Sequence, residues 1–162
     1  MPILAVTDLS DNSKAAIRSA ARWAQRAQTR LDVLYCDEAS DPKAPWRAIV
    51  ATPWEDPETF RRKALGHLET FVDETVDRLD DDLEIRCRVK LDRVDDAVES
   101  LLATDDYDYL FVGATGAGAI SRTLLGTTAE KLARLSDIPV AIIPHDREIS
   151  DIDTILAPVD MS

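Results

Sequence analysis

The apolar positions of this chain follow two periodicities, which alternate along it. Continuous apolar runs predict four buried strands, at Ile3–Thr7, Leu31–Cys36, Tyr109–Val112 and Ile138–Pro144. A fifth stretch, Leu83–Leu91, alternates apolar with basic residues, which predicts a half-exposed strand at an edge of the sheet. Between the strands, apolar residues recur at helical spacing over about 13–30, 58–79, 94–103 and 128–135. Strands that alternate with helices predict an α/β fold with a parallel sheet and right-handed crossovers.

The ends of two predicted helices carry candidate capping residues. Ser10, Asp11, Asn12 and Ser13 precede the first helix, and each is a residue type that caps helices well. A threonine, Thr127 or Thr128, is the expected N-cap of the helix that ends near 135.

One stretch interrupts the alternation with glycine. The strand at Tyr109–Val112 runs into a segment with glycine at positions 113, 116, 118 and 126, and the helix follows at once. Glycine tolerates positive φ and lacks a Cβ, so such a backbone can curl and present several N–H groups to one anion. A strand, a glycine-rich loop and a helix N-terminus together predict a phosphate-binding site.

Two common glycine motifs do not fit this segment. A phosphate-binding loop of the glycine–lysine–serine/threonine type would have a lysine after Gly126, where the chain has Thr127. The dinucleotide-binding fingerprint would need a third glycine at Ser121, and it normally follows the first strand of its unit. The alternative that stays open is a structural turn, in which the glycines only allow tight packing.

Asp8 follows directly on the first strand. In a doubly wound sheet, the carboxyl ends of the first strand and of the strand at Tyr109 meet at the switch point, where ligands bind. Asp8 and Gly113 are therefore expected to face the same crevice. A turn-forming or capping role is the alternative for Asp8.

The spacing of the glycines is that of a known family. Two residues separate Gly113 from Gly116, nine separate Gly116 from Gly126, and Thr127 follows. This pattern resembles the signature of the nucleotide-binding branch of the universal stress protein family: glycine, two residues, glycine, nine residues, glycine, then serine or threonine. The opening strand with Asp8 also looks like that of the family.

The resemblance implies a role for each residue of the site. Asp8 and Cys36 would recognise adenine, Cys36 through its backbone, while Val6 and Gly113 would lie beside the ribose. The phosphates would be held by Thr7, Gly116, Ala117, Gly126, Thr127 and Thr128. Two features depart from the family pattern: Val6 stands where a proline is common, and Leu91-Asp92-Arg93 replaces a valine-rich strand that leads to a glycine.

The resemblance also implies the sheet order 3-2-1-4-5, with helices on both faces, and a homodimer. The fifth strand would be an apolar edge, which pairs readily with another strand, and in this family it is the usual dimer contact. The implied function is that of a dimeric, ATP-binding stress-response regulator. Two alternatives stay open: a dimeric interaction scaffold that binds no nucleotide, and a slow ATPase with Asp8 as its base. No catalytic triad, zinc spacing or paired carboxylates indicate another reaction.

A metal ion is expected to accompany the nucleotide. A triphosphate adds several negative charges to a chain whose formal charge is −12. Arg122 in the loop and Lys131 on the following helix are the nearby basic residues, and backbone amides with the helix dipole offset only part of the charge. We therefore predict Mg²⁺ or Mn²⁺ beside ATP, near Thr7 or Thr127.

Composition narrows the function further. The 162 residues suggest one α/β domain, and 45% apolar with 31% charged residues is typical of soluble globular proteins. The acidic balance argues against a nucleic-acid partner, which requires a basic face. Cys36 and Cys87 are far apart and indicate neither a disulfide framework nor a zinc site. With no membrane-length apolar run and no signal peptide at the start, a cytoplasmic location is expected.

The last residues repeat the first ones. Thr154–Ser162 reads Thr-Ile-Leu-Ala-Pro-Val-Asp-Met-Ser, similar to the opening Ile3–Ser10. We expect residues 1–146 to form the universal stress protein domain and residues 147–162 to form a linker and a strand. That strand either begins a second, tandem domain, which we prefer, or adds an extra C-terminal strand to a sheet edge within the dimer. Chance similarity is the third possibility.

Overall fold

A computed structural model of the chain describes residues 2–37, 56–76, 82–116 and 125–149. The strands are β1 (Ile3–Thr7), β2 (Leu31–Cys36), β3 (Ile85–Lys90), β4 (Tyr109–Gly113) and β5 (Val140–Ile143). The helices are α1 (Lys14–Arg26), α2 (Pro57–Val76), α3 (Val94–Thr104) and α4 (Thr127–Leu135), and a 3₁₀ turn at Asp11–Ser13 precedes α1. Every strand and helix predicted from the periodicity is present.

The five strands form one parallel sheet in the order β3-β2-β1-β4-β5, which confirms the predicted order. From β1 the chain moves outward through β2 to β3, then crosses to the other side of β1 for β4 and β5. The direction of winding therefore reverses between β1 and β4. In sheets of this kind the reversal opens a crevice at the carboxyl ends of the two strands.

Apolar residues of β1 alternate between two cores. Ile3 and Ala5 pack toward α1 and α2, whereas Leu4 and Val6 pack toward α3 and α4. On α1 the buried face is made largely of small side chains, which allow the helix to lie close to the sheet: Ala15, Ala16, Ala20, Ala21 and Ala24 are all fully buried. The sheet is thus covered on both faces, as its near-continuous apolar strands predict.

The alternation of β3 gives an edge strand, as expected. Ile85, Cys87 and Val89 are partly buried against the core under α1 and α2, and β3 has β2 as its neighbour at the end of the sheet. α1 is shorter than expected and ends at Arg26 rather than near residue 30. The reason is a left-handed residue, Gln28, with φ of 49°, after which the helix cannot continue.

A charged cluster holds together the amino-terminal edge of the sheet, opposite the crevice. Asp32 is fully buried in β2. Its carboxylate accepts hydrogen bonds from Arg30 Nε at 2.6 Å and from the Tyr107 hydroxyl at 2.6 Å, and Arg88 Nε lies 2.8 Å away. A buried carboxylate needs such partners because desolvation would otherwise cost several kcal/mol (order of magnitude).

After β5 the chain lies against α1. The amide of Ile149 donates to Ser19 Oγ at 2.9 Å, and Glu148 pairs with Arg22 at 2.6 Å and also with Arg18. Ile149 packs against the core under α1 and α2. The predicted C-terminal strand, Ala117, Arg122 and most of the proline-rich connection before α2 lie outside the described residues. Among the residues described, no helix is long and apolar enough to cross a bilayer.

Candidate functional site

The crevice between β1 and β4 brings the predicted site residues from both strands together. β1 and β4 are adjacent, and Val6 pairs with Val112, so the loops that follow them leave the sheet at the same edge. A Cβ built on Gly116 would lie 3.0 Å from Asp8 Oδ2. A Cβ built on Gly113 would lie 3.4 Å from the carbonyl oxygen of Asn12. The glycine loop therefore touches the turn that follows β1.

Asp8 forms one wall of the crevice and is held in place by Ser10. Its Oδ1 accepts the backbone N–H of Ser10 at 3.1 Å and the Ser10 hydroxyl at 2.6 Å. Its Oδ2 faces Gly116. Asp8 thus fulfils the turn-forming role that was the alternative prediction. It also places a carboxylate oxygen against the glycine loop.

Buried hydroxyl groups fix the turn after β1. The single Ser13 hydroxyl proton goes to the carbonyl oxygen of Ser10 at 2.8 Å. Because Thr7 Oγ1 and Ser13 Oγ are 2.7 Å apart, the proton between them must come from Thr7. Thr7 Oγ1 in turn accepts the N–H of Leu9 at 3.0 Å. The side chain of Thr7 is used inside the protein, so only its main chain is available to a ligand.

Leu9 adopts a conformation that leucine rarely takes. Its φ is 59°, in the left-handed region. The hydrogen bond from its N–H to Thr7 and its packing against the core stabilise this conformation. Strained residues of this kind concentrate at functional sites, where the surrounding structure holds them.

The polar residues at 10–13 do not cap a helix through their side chains. The residues at the two N-cap positions, Ser10 and Ser13, make no side-chain capping hydrogen bond. Their hydroxyls bind Asp8 and Ser10 instead, and the amide of Asn12 donates to the carbonyl oxygen of Gly116 at 3.1 Å. Ser10 and Ser13 therefore lie at N-cap positions as predicted, but their hydroxyls are used within the turn rather than for capping.

The glycine loop is fixed by main-chain hydrogen bonds on both sides. The N–H of Ala114 donates to the carbonyl oxygen of Ile143 at 2.8 Å, and its carbonyl oxygen accepts the N–H of Gly126 at 2.7 Å. A Cβ on Gly126 would lie 3.2 Å from that same carbonyl oxygen. Gly113, Gly116 and Gly126 all lie outside the left-handed region. Positive φ is therefore not what favours glycine here: a side chain would be crowded by a backbone oxygen at Gly126 and by Asp8 at Gly116, whereas at Gly113 it would make ordinary contacts.

α4 starts directly beside this loop. Its N-cap is Gly126, with φ −65° and ψ 146°, and the carbonyl oxygen of Gly126 accepts the N–H of Glu130 at 2.9 Å. The prediction of a threonine N-cap was therefore wrong: Gly126 is the N-cap, and Thr127 and Thr128 are the first two helical residues. The N–H groups of Thr127, Thr128 and Ala129 have no acceptor within the helix. They give the positive end of the helix dipole to the space near Gly116.

Cys36 ends β2 at the same edge of the sheet, one strand from Asp8. Burial, with a further contribution from the negative charge of Asp92, raises the pKa of its thiol to about 12. The thiol stays protonated at neutral pH and is a poor nucleophile. Val6 is buried in the core under α3 and α4. Cys36 and Val6 can thus serve a ligand through backbone groups, as the family resemblance implies for Cys36.

The basic residue expected on α4 is already paired. Lys131 forms an ion pair with Asp95 of α3. The hydrogen bond from Lys131 is the main cause that lowers the pKa of Asp95 to about 2. Lys131 therefore adds little net charge to the crevice. Within the described ranges, no three His, Cys, Asp or Glu side chains lie close enough together to form a metal site.

The sequence comparison decides the family. A sequence model of the Universal stress protein family matches residues 1–144. This chain belongs to the universal stress protein family. A comparison with curated protein sequences finds no match.

Solved structures of the universal stress protein family share the fold. UspA from Lactobacillus plantarum is 21% identical, with a TM-score of 0.64, over 88% of this chain and 97% of that one. A universal stress protein in complex with cAMP is 21% identical, with a TM-score of 0.63, over 90% and 98%. The protein from Archaeoglobus fulgidus in complex with dAMP is 16% identical, with a TM-score of 0.56, over 88% and 96%. At these identities the likeness establishes the fold.

Sequence reasoning missed two contacts of the site. Asn12 and Gly116 are 104 residues apart in the chain, and nothing in the local pattern pairs them. The contact between Lys131 and Asp95 joins α3 and α4, 36 residues apart in the chain. The polar run at 10–13 was visible, but only the tertiary structure shows which groups it binds.

Proposed function

We propose that this universal stress protein binds ATP in the crevice between β1 and β4 and acts as a stress-response regulator. One observation carries the proposal. The described part of the glycine loop, the Asp8 carboxylate and the N–H groups at the start of α4, which have no acceptor within the helix, lie together at the switch point of the sheet. Main-chain amides and a helix N-terminus are suited to phosphate groups.

Relatives support an adenine nucleotide as the ligand. One structure with this fold is a complex with cAMP and another is a complex with dAMP. Both ligands contain adenine and phosphate. We propose that Asp8 and the backbone of Cys36 contact the base, with the main chain at Val6 and Gly113 beside the ribose. The phosphate contacts would come from the main chain of Thr7, from Gly116, Ala117 and Gly126, and from Thr127 and Thr128.

A divalent cation is part of the proposal. Asp8 brings a negative charge to the glycine loop, Lys131 is neutralised by Asp95, and the chain has a formal charge of −12. Backbone amides alone do not balance a triphosphate in such a field. Mg²⁺ or Mn²⁺ bound to the phosphates would do so. The buried hydroxyl of Thr7 is already bonded, so Thr127 is the better candidate to lie beside the metal.

The test is a calorimetric titration of ATP into the wild type and into Gly116→Val, with Mg²⁺ and with EDTA. A valine at 116 would press on Asp8, because even its Cβ would be 3.0 Å from Oδ2. We expect ATP affinity to fall by about tenfold or more, which corresponds to about 1.4 kcal/mol. Gly66→Val is the matched control, since a Cβ on Gly66 meets no atom within 4 Å.

The outcomes separate the candidate functions. No ATP binding by the wild type would favour the interaction scaffold that binds no nucleotide. Undiminished ATP binding in Gly116→Val would instead show that ATP does not bind against the glycine loop at residue 116. Equal ATP affinity in EDTA would remove the metal from the proposal. A slow ATPase would show turnover that disappears in Asp8→Asn; the engagement of Asp8 Oδ1 by Ser10 favours binding over hydrolysis. Mass spectrometry of nucleotide released by denaturing the purified protein would identify the natural ligand.

Two assembly features belong to the same proposal. β5 lies at the edge of the sheet, with Val140, Ala141 and Ile142 only partly buried, and we propose that it forms the homodimer contact in a cytoplasmic protein. Sedimentation equilibrium should give twice the mass of one chain. We also propose that residues 147–162 link the domain to a tandem partner. A native product with the mass of this chain alone would contradict that part.

A further inference from the structure

We propose that Asn12 is a positioning residue that holds residues 113–116, the described first part of the glycine loop, in a phosphate-binding shape. This inference rests on the proposed function, and it assigns a role to a side chain outside the family's glycine pattern. The side-chain amide of Asn12 donates to the carbonyl oxygen of Gly116 at 3.1 Å. The contact joins the turn after β1 to the loop after β4, across the crevice.

The orientation of the Gly116 carbonyl oxygen is what the hydrogen bond from Asn12 determines. A loop that binds an anion through main-chain N–H groups also contains carbonyl oxygens, and an oxygen turned toward a phosphate repels it. The donor from Asn12 engages the Gly116 oxygen and holds it toward the turn at Asp11–Ser13. The peptide carbonyl is thereby kept from the ligand side of the loop.

The turn that carries Asn12 is held rigidly, so its exposed hydrogen bond can restrain Gly116. The next residue, Ser13, is buried, and its hydroxyl binds both Thr7 at 2.7 Å and the carbonyl oxygen of Ser10 at 2.8 Å. The backbone of the turn also packs on the loop, because a Cβ on Gly113 would lie 3.4 Å from the Asn12 carbonyl oxygen. The turn cannot move far without breaking contacts in the core.

The other end of the loop is fixed without side chains. Ala114 is bonded through its N–H to Ile143 and through its carbonyl oxygen to Gly126. Gly116 lies two residues beyond this anchor. Asn12 thus gives the described part of the loop a second point of attachment, at Gly116. Loss of this contact should make the backbone at Gly116 more mobile and leave the stability of the fold largely unchanged.

The experiment compares ATP with adenosine, which has no phosphate, in the wild type, in Asn12→Ala and in Asp11→Ala. Asp11 lies in the same turn, and its carboxylate, which is 90% exposed, pairs with Lys14, so it controls for truncation there. We expect Asn12→Ala to weaken ATP binding about five- to tenfold, the effect of one lost hydrogen bond. Adenosine binding should change less than about twofold, and Asn12→Gln, which keeps the donor, should recover part of the loss.

Hydrogen exchange without nucleotide gives a second readout. Amides at residues 113–116 should exchange faster in Asn12→Ala than in the wild type or Asp11→Ala. If the alanine variant does not fold, Asn12→Ser takes its place. Equal losses for ATP and adenosine, or unchanged affinity and exchange, would overturn the inference. A gain in ATP affinity would also overturn it, since the contact would then be one that the nucleotide must break. A wild type that binds neither ligand would refute the proposed function itself, and the role of Asn12 with it.

Discussion

The Oδ2 atom of Asp8 lies 3.0 Å from the point where a Cβ on Gly116 would stand. A side chain at 116 would therefore fit only if the Asp8 carboxylate moved away by a few tenths of an ångström. The relation connects the first strand of the sheet with a loop more than a hundred residues later. This contact disfavours alanine relative to glycine at 116.

A double-mutant cycle tests that relation. Gly116→Ala should destabilise the wild type by about 1 kcal/mol, because Ser10 holds Asp8 and limits its retreat. In an Asp8→Ala background the same change should cost almost nothing, since the clashing oxygen is gone. The coupling, of about 0.5–1 kcal/mol, is read from urea denaturation of the four proteins. Equal costs in both backgrounds would mean that the contact does not limit residue 116.

Replacement by alanine should change the free energy of unfolding in opposite directions at Gly126 and at Gly66. Gly126→Ala should lower the free energy of unfolding by about 1–3 kcal/mol, because its Cβ would meet the Ala114 carbonyl oxygen, a main-chain atom, at 3.2 Å. Gly66 lies within α2, and a Cβ at this position would meet no atom within 4 Å. The substitution Gly66→Ala therefore introduces no clash. It should raise the free energy of unfolding by about 0.5–1 kcal/mol.

Thermal and urea denaturation measure both glycine variants against the wild type. If Gly126→Ala and Gly66→Ala both raise or both lower the free energy of unfolding, close packing around Gly126 does not account for the effect of its substitution.

Both cysteines should resist alkylation in the folded protein. Burial raises the pKa of the Cys36 thiol and of the Cys87 thiol to about 12. At pH 8 the thiolate fraction is then about a thousandfold below that of an ordinary cysteine, and iodoacetamide should react correspondingly slowly. Mass spectrometry of tryptic peptides follows each site, and labelling in guanidinium chloride is the control. Rapid modification of either thiol without denaturant would contradict its burial.

The Asp95–Lys131 pair should make stability depend on acid pH. Since the hydrogen bond from Lys131 lowers the pKa of Asp95 to about 2, the folded state favours the carboxylate. Its contribution is present above the ordinary aspartate pKa of about 4 and is lost as pH falls toward 2. Asp95→Asn should be less stable at pH 6, by less than about 1 kcal/mol because Lys131 is largely exposed.

The same variant should differ little from the wild type at pH 2. Glu84→Gln removes a carboxylate from an exposed pair with Arg86 at the far edge of the sheet and is the charge-matched control. If the difference between Asp95→Asn and the wild type persists at pH 2, an effect other than the ion pair causes it.

The sequence by itself determined the elements of this protein and their order. Apolar runs fix strands and helical spacing fixes helices because both periodicities are local properties of the chain. The alternation in Ile85–Lys90 marked an edge strand, and the glycine spacing at 113, 116 and 126 marked the loop beside the switch point. These features need no knowledge of distant residues.

Only the tertiary structure decided which polar groups meet. The residues at 10–13 are all good helix caps in isolation, yet Asn12 binds Gly116, and Ser13 binds Thr7 inside the turn. The sequence shows Lys131 only as a basic residue near the loop, and the structure shows that Asp95 neutralises it. A hydroxyl, amide or ammonium group has many possible partners of similar energy, and folding selects among them by proximity. That selection depends on how the sheet brings β1 and β4 together, which no local pattern records.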